Sequence, residues 1–158
     1  MSWLFPKKHK DIQKNVYREN VCTLEEQIKS LPGAVIGDSE VCPLTHTFTD
    51  GMYVRQIFMP KGMLIVSKIH KYEHPYFILS GDVSVLTEDG VVRLKAPYSG
   101  ITKAGTKRVL YIHEDTVWTT IHRTNSKDLK KIEKKIIAKS FDEVPKNLKE
   151  NLLLILKS

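Results

Sequence analysis

The feature that most constrains the fold is a succession of short, strand-like segments between residues 34 and 124. They are rich in β-branched and aromatic residues, and turn pairs such as Asp50-Gly51 and Ser80-Gly81 separate them. Strands spaced about 8–12 residues apart, without helices between them, are typical of an antiparallel sandwich or barrel. The segments are AVIG, VCPLTHTF, MYVRQIFM, MLIVSKIH, YFIL, DVSVLT, VVRLKA, GITKA, RVLYIH and VWTTIH.

Two further pairs refine this prediction. Asp89-Gly90, between SVLTE and VVRLK, is the strongest hairpin signal in the chain. Glu114-Asp115 is predicted to make a tight turn between the last two strands. In the final strand, Trp118, Thr120 and His122 should share one face, because side chains alternate across a strand.

The segments on either side of this region have helical patterns. Residues 1–33 form an N-terminal extension, in which Thr23 and Glu26 make a capping box. This predicts a short helix from Leu24 to Leu31, ended by Pro32-Gly33.

Residues 125–158 form a C-terminal helical extension. Asn125 and Ser126 are predicted to cap its first helix. A last helix should follow the sequence FDEVP. The predicted apolar faces are Leu129, Ile132 and Ile136 in the first helix, and Leu148, Leu152, Ile155 and Leu156 in the second.

Length and charge limit the function classes. A chain of 158 residues most simply forms one domain, and its net charge of +7 favours anionic partners. No pattern of a known nucleic-acid reader is present, so nucleic acid is an unlikely partner. No apolar run approaches a membrane span, and the two cysteines form no CxxC motif. The expected location is the cytoplasm.

Histidines are the strongest candidates for a functional site. His70 and His74 stand at the end of one predicted strand and the start of the next, so both can point into the mouth of a barrel. A catalytic metal usually takes three protein ligands, and His122 is the first candidate for the third. His46 is a possible substitute, whereas His113 reads as structural. An all-histidine set suits zinc, iron, nickel or copper.

The order of the strands resembles the cupin family of small jelly-roll barrels. In the first cupin motif, Gly62 and Gly81 take the two glycine positions. His70 takes a histidine position, and His74 the position of a glutamate, while Lys68 occupies the other histidine position. The resemblance implies a mainly β fold, with a single jelly-roll barrel over residues 34–124. It also implies a homodimer or higher homo-oligomer.

In the second cupin motif, Gly105 is in place, but Arg108 stands where a histidine ligand belongs. An arginine does not coordinate a metal, and inside a barrel its charge is costly unless an anion pairs with it. A ligand carboxylate or phosphate would do so, and Arg55 could supply a second positive group. The alternative is an internal ion pair with Glu114 or Asp115.

Stretches such as DGMYVRQIFMPKG and AGTKRVLYIHEDTVWTTIH also resemble small cupin-like proteins of tailed bacteriophages. This resemblance implies that the chain is phage-encoded, with the host cytoplasm or the virion as its location. One hypothesis is that the chain is a structural or assembly protein of a phage particle.

Two further hypotheses involve the barrel interior. In the first, a small anionic molecule, such as a nucleotide or sugar phosphate, binds without being turned over. Its binding residues would be Arg108, Arg55, His70, His74 and Tyr76. In the second, the chain is a metal-dependent cupin enzyme, an oxygenase or isomerase. His70, His74 and His122 would then hold one divalent transition metal, and Tyr72 or Tyr76 would act as an acid or an orienting donor.

Overall fold

A computed structural model describes residues 5–36 and 40–145, with side chains from residue 10 onward. Strands account for 46% of the structure and helices for 23%, so the mainly β prediction is confirmed. The helices and strands, in chain order, are α1 (Phe5–Lys29), β1 (Leu44–Thr49), β2 (Met52–Met59), β3 (Leu64–Val66), β4 (Ile69–His70), β5 (His74–Thr87), β6 (Gly90–Lys95), β7 (Tyr98–Thr102), β8 (Val109–Arg123), α2 (Leu129–Ile136) and β9 (Ile137–Ala138).

All strand pairs are antiparallel, and the two longest strands, β5 and β8, pair with each other along most of their length. The strand order is β1-β2-β8-β5-β6, with β3 also on β8 and β7 also on β5. The first half of β5 pairs with β7 and the second half with β6, so β5 and β8 run through both halves of the barrel. The predicted hairpin at Asp89-Gly90 joins β5 to β6.

Two predicted turns are wrong, because Ser80-Gly81 and Glu114-Asp115 lie inside β5 and β8. The pairing of β5 with β8 shifts register between Ile78 and Val83, which is typical of a β-bulge. Gly81 has a φ of 109°, and a Cβ there would lie 2.7 Å from the Cα of Thr116. The glycine therefore permits a close approach of two strands, and the chain does not reverse. Residues 34–36, predicted to begin the first strand, form no regular structure.

One end of the barrel has an aliphatic core, which we call the apolar end. Val83 and Val85 of β5 face Leu110 and Ile112 of β8, and all four are buried. Residues of the other half of the barrel join the same cluster, so the two halves share one core. These further members are Met59, Tyr76, Ile78, Leu94 and Trp118.

The N-terminal helix is longer than predicted, because α1 already begins at Phe5. Thr23 is therefore not an N-cap: its hydroxyl donates to the carbonyl of Glu19 within the helix. No glycine or proline occurs between Pro6 and Pro32, and a proline in the first turn is compatible with a helix. The helix docks on the barrel through Tyr17, whose hydroxyl lies 2.8 Å from the carbonyl oxygen of Lys107.

The C-terminal helix begins at Leu129, and its N-cap is Asp128, not the predicted Asn125 or Ser126. The Asp128 carboxylate accepts hydrogen bonds from the backbone N–H groups of Lys130 and Lys131. Of the predicted apolar face, Ile132 and Ile136 are buried, whereas Leu129 is exposed. The predicted helix around Leu148 to Leu156 lies outside the described residues.

Candidate functional site

Polar residues occupy the inner face of the barrel beyond the apolar end, and we call this region the histidine end. Residues paired directly across antiparallel strands project to the same face. In this way β8 places His122 beside Tyr53 of β2, and Thr120 between Arg55 of β2 and Tyr76 of β5. His74, at the start of β5, pairs with Thr102 of β7, and His70 comes from β4.

Three histidines meet at this end. The ring centroids of His70 and His74 are 4.5 Å apart, those of His74 and His122 4.4 Å, and those of His70 and His122 6.3 Å. His74 and His122 are each only 5% exposed. The structure thus brings together the three histidines singled out from the sequence, although 48 residues separate His74 from His122 along the chain.

Two imidazole nitrogens of this cluster have no partner. The Nδ1 atom of His74 is 3.0 Å from the carbonyl oxygen of Tyr72. A carbonyl only accepts, so Nδ1 carries the proton and Nε2 keeps a free lone pair. Among the described residues, this Nε2 atom and Nδ1 of His70 are buried without a hydrogen-bond partner. Buried unsatisfied polar atoms are rare in native proteins, and they call for a ligand, an ion or water.

The environment keeps these histidines neutral. Burial, and then the charges of neighbouring groups including Arg108 and Arg55, lowers the pKa of His70 from 6.5 to about 2. Burial likewise lowers the pKa of His122 to about 3, and it lowers the pKa of His74. At neutral pH the three rings are therefore hydrogen-bonding or metal-ligating groups without charge.

Arg108 extends into the same space from the start of β8. One Nη1–H group donates to the hydroxyl of Thr102 over 3.0 Å, and the guanidinium lies 5.1 Å from the ring centroid of Tyr76. A second aromatic face, that of Trp118, is 5.9 Å away. Burial lowers the pKa of Arg108, and the guanidinium remains a cation at neutral pH.

No carboxylate in residues 10–36 and 40–145 forms an ion pair with Arg108. The predicted alternative, an ion pair with Glu114 or Asp115, is therefore wrong. Because β8 continues straight through these two residues, they lie about 20 Å farther along the strand. Asp115 instead accepts a hydrogen bond from the backbone N–H of Lys61.

Arg55 and Tyr76 complete the predicted set. Arg55 is half-buried on β2, and its charge helps to lower the pKa of all three histidines. Tyr76 stacks on Trp118, with ring centroids 4.6 Å apart. Its ring lies against Gly100 of β7, where a Cβ would come within 2.6 Å of the Tyr76 hydroxyl. Only glycine at this position leaves room for the tyrosine.

Two elements of the C-terminal extension, α2 and β9, pack against the histidine end. Ile132 and Ile136 of α2 pack against Tyr53, and β9 pairs with β4, so that His70 lies opposite Ile137. Arg108 can also be approached from outside, because it lines a surface cleft of about 260 Å³ together with Tyr17 of α1.

Two of the other histidines, His46 and His113, are hydrogen-bonded elsewhere. Nδ1 of His46 is 2.7 Å from the Tyr53 hydroxyl, and Nε2 of His113 is 2.6 Å from the Ser84 hydroxyl. Sequence reasoning missed Thr102 and Thr120, whose hydroxyls contact Arg108 and Nε2 of His122. Two sequence signals could have found them. Thr102 lies in the strand-like segment GITKA, and Thr120 shares a strand face with His122.

The three histidines of the metal hypothesis form only part of a metal site. No group of three or more His, Cys, Asp or Glu residues has the geometry to hold a metal ion in the part of the chain that the structure describes. The hydroxyl of Thr120, 2.9 Å from Nε2 of His122, occupies one nitrogen of the third histidine. His70 and His74 are thus left with free nitrogens.

Comparison with known proteins finds structural similarity over part of the chain. No family model matches the chain, and no curated protein does. Solved structures with a similar fold include ectoine synthase from P. lautus, with 8% identity and a TM-score of 0.48. The match covers 55% of this chain and 67% of the synthase chain. The cupin domain of Schizosaccharomyces pombe Cnp3 has 16% identity and a TM-score of 0.47 and covers 63% of this chain and 74% of its own.

A cupin superfamily protein from Desulfitobacterium hafniense DCB-2 has 12% identity and a TM-score of 0.46, and covers 60% of this chain and 90% of its own. The second and third of these structures are named as cupin proteins, and similarity at such identities does not extend to activity or ligand. Of the helices that the structure describes, neither is long and apolar enough to cross a membrane.

Proposed function

We propose that the histidine end of the barrel binds a small anionic molecule of the nucleotide or sugar-phosphate class. One observation carries the proposal: Arg108 is a half-buried cation with no carboxylate partner among the described residues. Removing an unpaired charge from water is expensive, and proteins pair such charges. An anion that enters the barrel would supply the missing partner.

The neighbouring groups suit an anion better than a cation. A phosphate or carboxylate can accept two parallel hydrogen bonds from a guanidinium. Arg55 adds a second positive charge, while neutral His70 and His74 can donate or accept hydrogen bonds without adding charge. Tyr76 lies under the guanidinium and holds it in place by a cation–π contact. In this proposal the ligand is bound and not converted.

Binding of defined probes tests the proposal. Isothermal titration with inorganic phosphate, glucose 6-phosphate and AMP should detect binding of at least one of them to the wild-type protein. Arg108→Gln should weaken it about 10- to 100-fold, because a charged hydrogen-bond pair is worth about 1.5–3 kcal/mol. The control is Arg123→Gln, at the exposed end of β8, which should bind like the wild type. Equal affinity in the two variants would contradict the proposal, as would a wild-type protein that binds none of the probes.

A metal-dependent cupin enzyme is the second candidate, and the unpaired Nδ1 of His70 and Nε2 of His74 favour it. Two free, neutral imidazole nitrogens buried in one cluster are suitable ligands for zinc, iron, nickel or copper. His122 would join them if Thr120 released it. A bound metal would supply Lewis-acid or redox chemistry, and Tyr76 would orient the substrate.

Elemental analysis of protein purified without a histidine tag separates the two candidates. The enzyme hypothesis predicts near-stoichiometric metal that is lost in His70→Ala and retained in His113→Ala. His113 is the matched control because it lies on the outer surface of the barrel, bonded to Ser84. Protein without metal that still binds a phosphate probe supports the first candidate.

The phage origin and a role in a virus particle remain predictions from the sequence resemblance. A large ring or co-purification with particles would support them, whereas a small soluble assembly in the infected cell would support a cytoplasmic binding protein.

A further inference from the structure

The surface cleft beside Arg108, which we call the α1 cleft, has a volume of about 260 Å³. Four parts of the chain line it: α1, the turn between β5 and β6, the segment from β7 to β8, and Phe141 of the C-terminal extension. Pockets for small molecules typically have volumes of about 300–1,000 Å³, so the cleft lies near the lower end of that range. It therefore offers space beside Arg108 for more than a phosphate group.

Helix α1 is fixed as one wall of the cleft. The Tyr17 hydroxyl lies 3.0 Å from the carbonyl oxygen of Leu86, near the end of β5, and 2.8 Å from that of Lys107, just before β8. The buried Lys107 ammonium in turn donates to the carboxylate of Glu25 on α1 over 2.7 Å. The wall is thus tied to both strands, and the charge of Lys107 is compensated within the protein.

A second guanidinium lines the α1 cleft, that of Arg18 on α1. It lies 4.2 Å from the ring centroid of Phe141, and one Nη2–H group donates to the carbonyl of Gly105 over 3.4 Å. This contact joins α1 to the C-terminal extension and to the loop before β8. It also adds positive charge to the lining, which favours an anionic ligand.

Two carboxylates line the same cleft. Glu88 and Asp89 form the turn between β5 and β6, both are exposed, and neither forms an ion pair among the described residues. Burial, and then the charge of Glu88, raises the pKa of Tyr17 to about 12, while the charge of Arg108 opposes this rise. Glu88 and Arg108 are therefore both close to the Tyr17 hydroxyl and yet are not paired with each other, so a ligand can lie between them.

We propose that the α1 cleft binds the sugar part of a phosphorylated ligand, whose hydroxyl groups donate to Glu88 and Asp89 while its phosphate pairs with Arg108. The inference rests on the proposed function and adds the part of the site that selects the ligand. A carboxylate accepts hydrogen bonds from sugar hydroxyls, as the acidic residue of dinucleotide-binding domains does for ribose. Ile101, which is 54% exposed in the same lining, can contact the C–H groups of the sugar.

The two carboxylates also act against other ligands. They repel an inorganic phosphate, which has no group to donate to both of them, so they favour a sugar phosphate or a nucleotide. The cupin resemblance covers residues 34–124, whereas α1 and Phe141 lie outside that range. The cleft is therefore formed in part by the two extensions of this chain.

Isothermal titration of the full-length protein with two phosphate monoesters tests the proposal. The first is whichever of glucose 6-phosphate and AMP the wild type binds more tightly, and the second is methyl phosphate, which has the same charged group without a hydroxyl. The wild type should prefer the sugar phosphate by about 10-fold or more. Glu88→Ala/Asp89→Ala should weaken the sugar phosphate about 10-fold. It should bind methyl phosphate as tightly as the wild type or more tightly, because two negative charges are removed.

Glu114→Ala/Asp115→Ala is the matched control, because it also removes two consecutive exposed carboxylates, about 20 Å from Arg108 along β8. This variant should bind both probes like the wild type, and circular dichroism verifies the fold of both variants. Equal affinity of the wild type for the two probes would overturn this inference but not the binding of an anion at Arg108. An unchanged affinity of Glu88→Ala/Asp89→Ala for the sugar phosphate would do the same. A wild type that binds neither probe nor inorganic phosphate would contradict the proposed function itself.

Discussion

The apolar end and the histidine end of the barrel are built from the same two strands but differ in what they contain. In its second half β5 contributes Val83 and Val85, which are buried in an aliphatic cluster. In its first half it contributes His74 and Tyr76, which lie beside the half-buried cation of Arg108. One end gains free energy by excluding water, whereas the other retains groups that are costly to bury. The comparison indicates that the first end stabilises the fold, whereas the second has the groups on which the proposed binding of an anion depends.

Acidification should destabilise the histidine end most strongly. The folded-state pKa values of His70 and His122 are lowered to about 2 and about 3, while the unfolded chain protonates near 6.5. Below pH 6.5 the unfolded state therefore binds protons that the folded state excludes, so stability falls as pH falls; above pH 6.5 this effect is absent. Each group lowers the free energy of unfolding by about 1.4 kcal/mol per pH unit. The two histidines together should therefore lower it by about 4 kcal/mol between pH 6.5 and pH 5.

Urea unfolding at pH 7 and pH 5, on protein dialysed against a chelator, measures this loss. In His70→Gln the difference in unfolding free energy between pH 7 and pH 5 should shrink by about 2 kcal/mol. His113→Gln, on the outer surface, should leave the difference unchanged. A wild-type protein equally stable at both pH values would show that the histidine end is hydrated and open.

Truncation in the apolar end should produce the next largest effect. Ile112 is fully buried, so Ile112→Ala removes buried methyl groups and leaves a cavity, at a cost of about 2–5 kcal/mol. The exposed Val91 is the control, and Val91→Ala should change the unfolding free energy by less than about 0.5 kcal/mol. Phosphate-probe affinity of the folded Ile112→Ala protein should equal that of the wild type. A loss of binding would mean that the two ends are not independent.

The smallest expected effect concerns the helix over the histidine end. Asp128→Ala removes the N-cap of α2 and should cost about 1 kcal/mol. Because α2 packs on Tyr53, hydrogen exchange should quicken in α2 and β9, while the strands of the apolar end keep their protection. Ser126→Ala, at a position first expected to cap the helix, should change stability less. Equal effects of the two variants would contradict the assignment of the cap.

The contrast between the two ends also explains which structural features could be predicted from the sequence. Alternation along a strand is local, so the faces of Trp118, Thr120 and His122 were predictable, and the grouping of His70, His74 and His122 followed from the expected return of the last strand. Turn signals were less reliable. Ser80-Gly81 has the composition of a turn, but the glycine at this point permits two strands to approach closely. Local composition does not distinguish these two uses of a glycine.

Partners distant in sequence could not be predicted. The alternative of an ion pair for Arg108 assumed a chain reversal at Glu114-Asp115, and it failed together with that turn. The observed contact of Arg108 is with the hydroxyl of Thr102, on a different strand. The extent of α1 was also missed, because a capping box at Thr23 has the same sequence whether a helix begins there or passes through.

The most direct test of an anion at Arg108 is the effect of ligand on the unfolding of Arg108→Met. Without phosphate compounds this variant should be as stable as the wild type or more stable, because it replaces a half-buried charge that has no carboxylate partner by an apolar side chain. The ligand is whichever of phosphate, glucose 6-phosphate or AMP binds, added at 100 times its dissociation constant. It should raise the free energy of unfolding of the wild type by about 2.7 kcal/mol. The variant should gain far less. An equal gain in both proteins, or none in the wild type with any of the three compounds, would contradict the account.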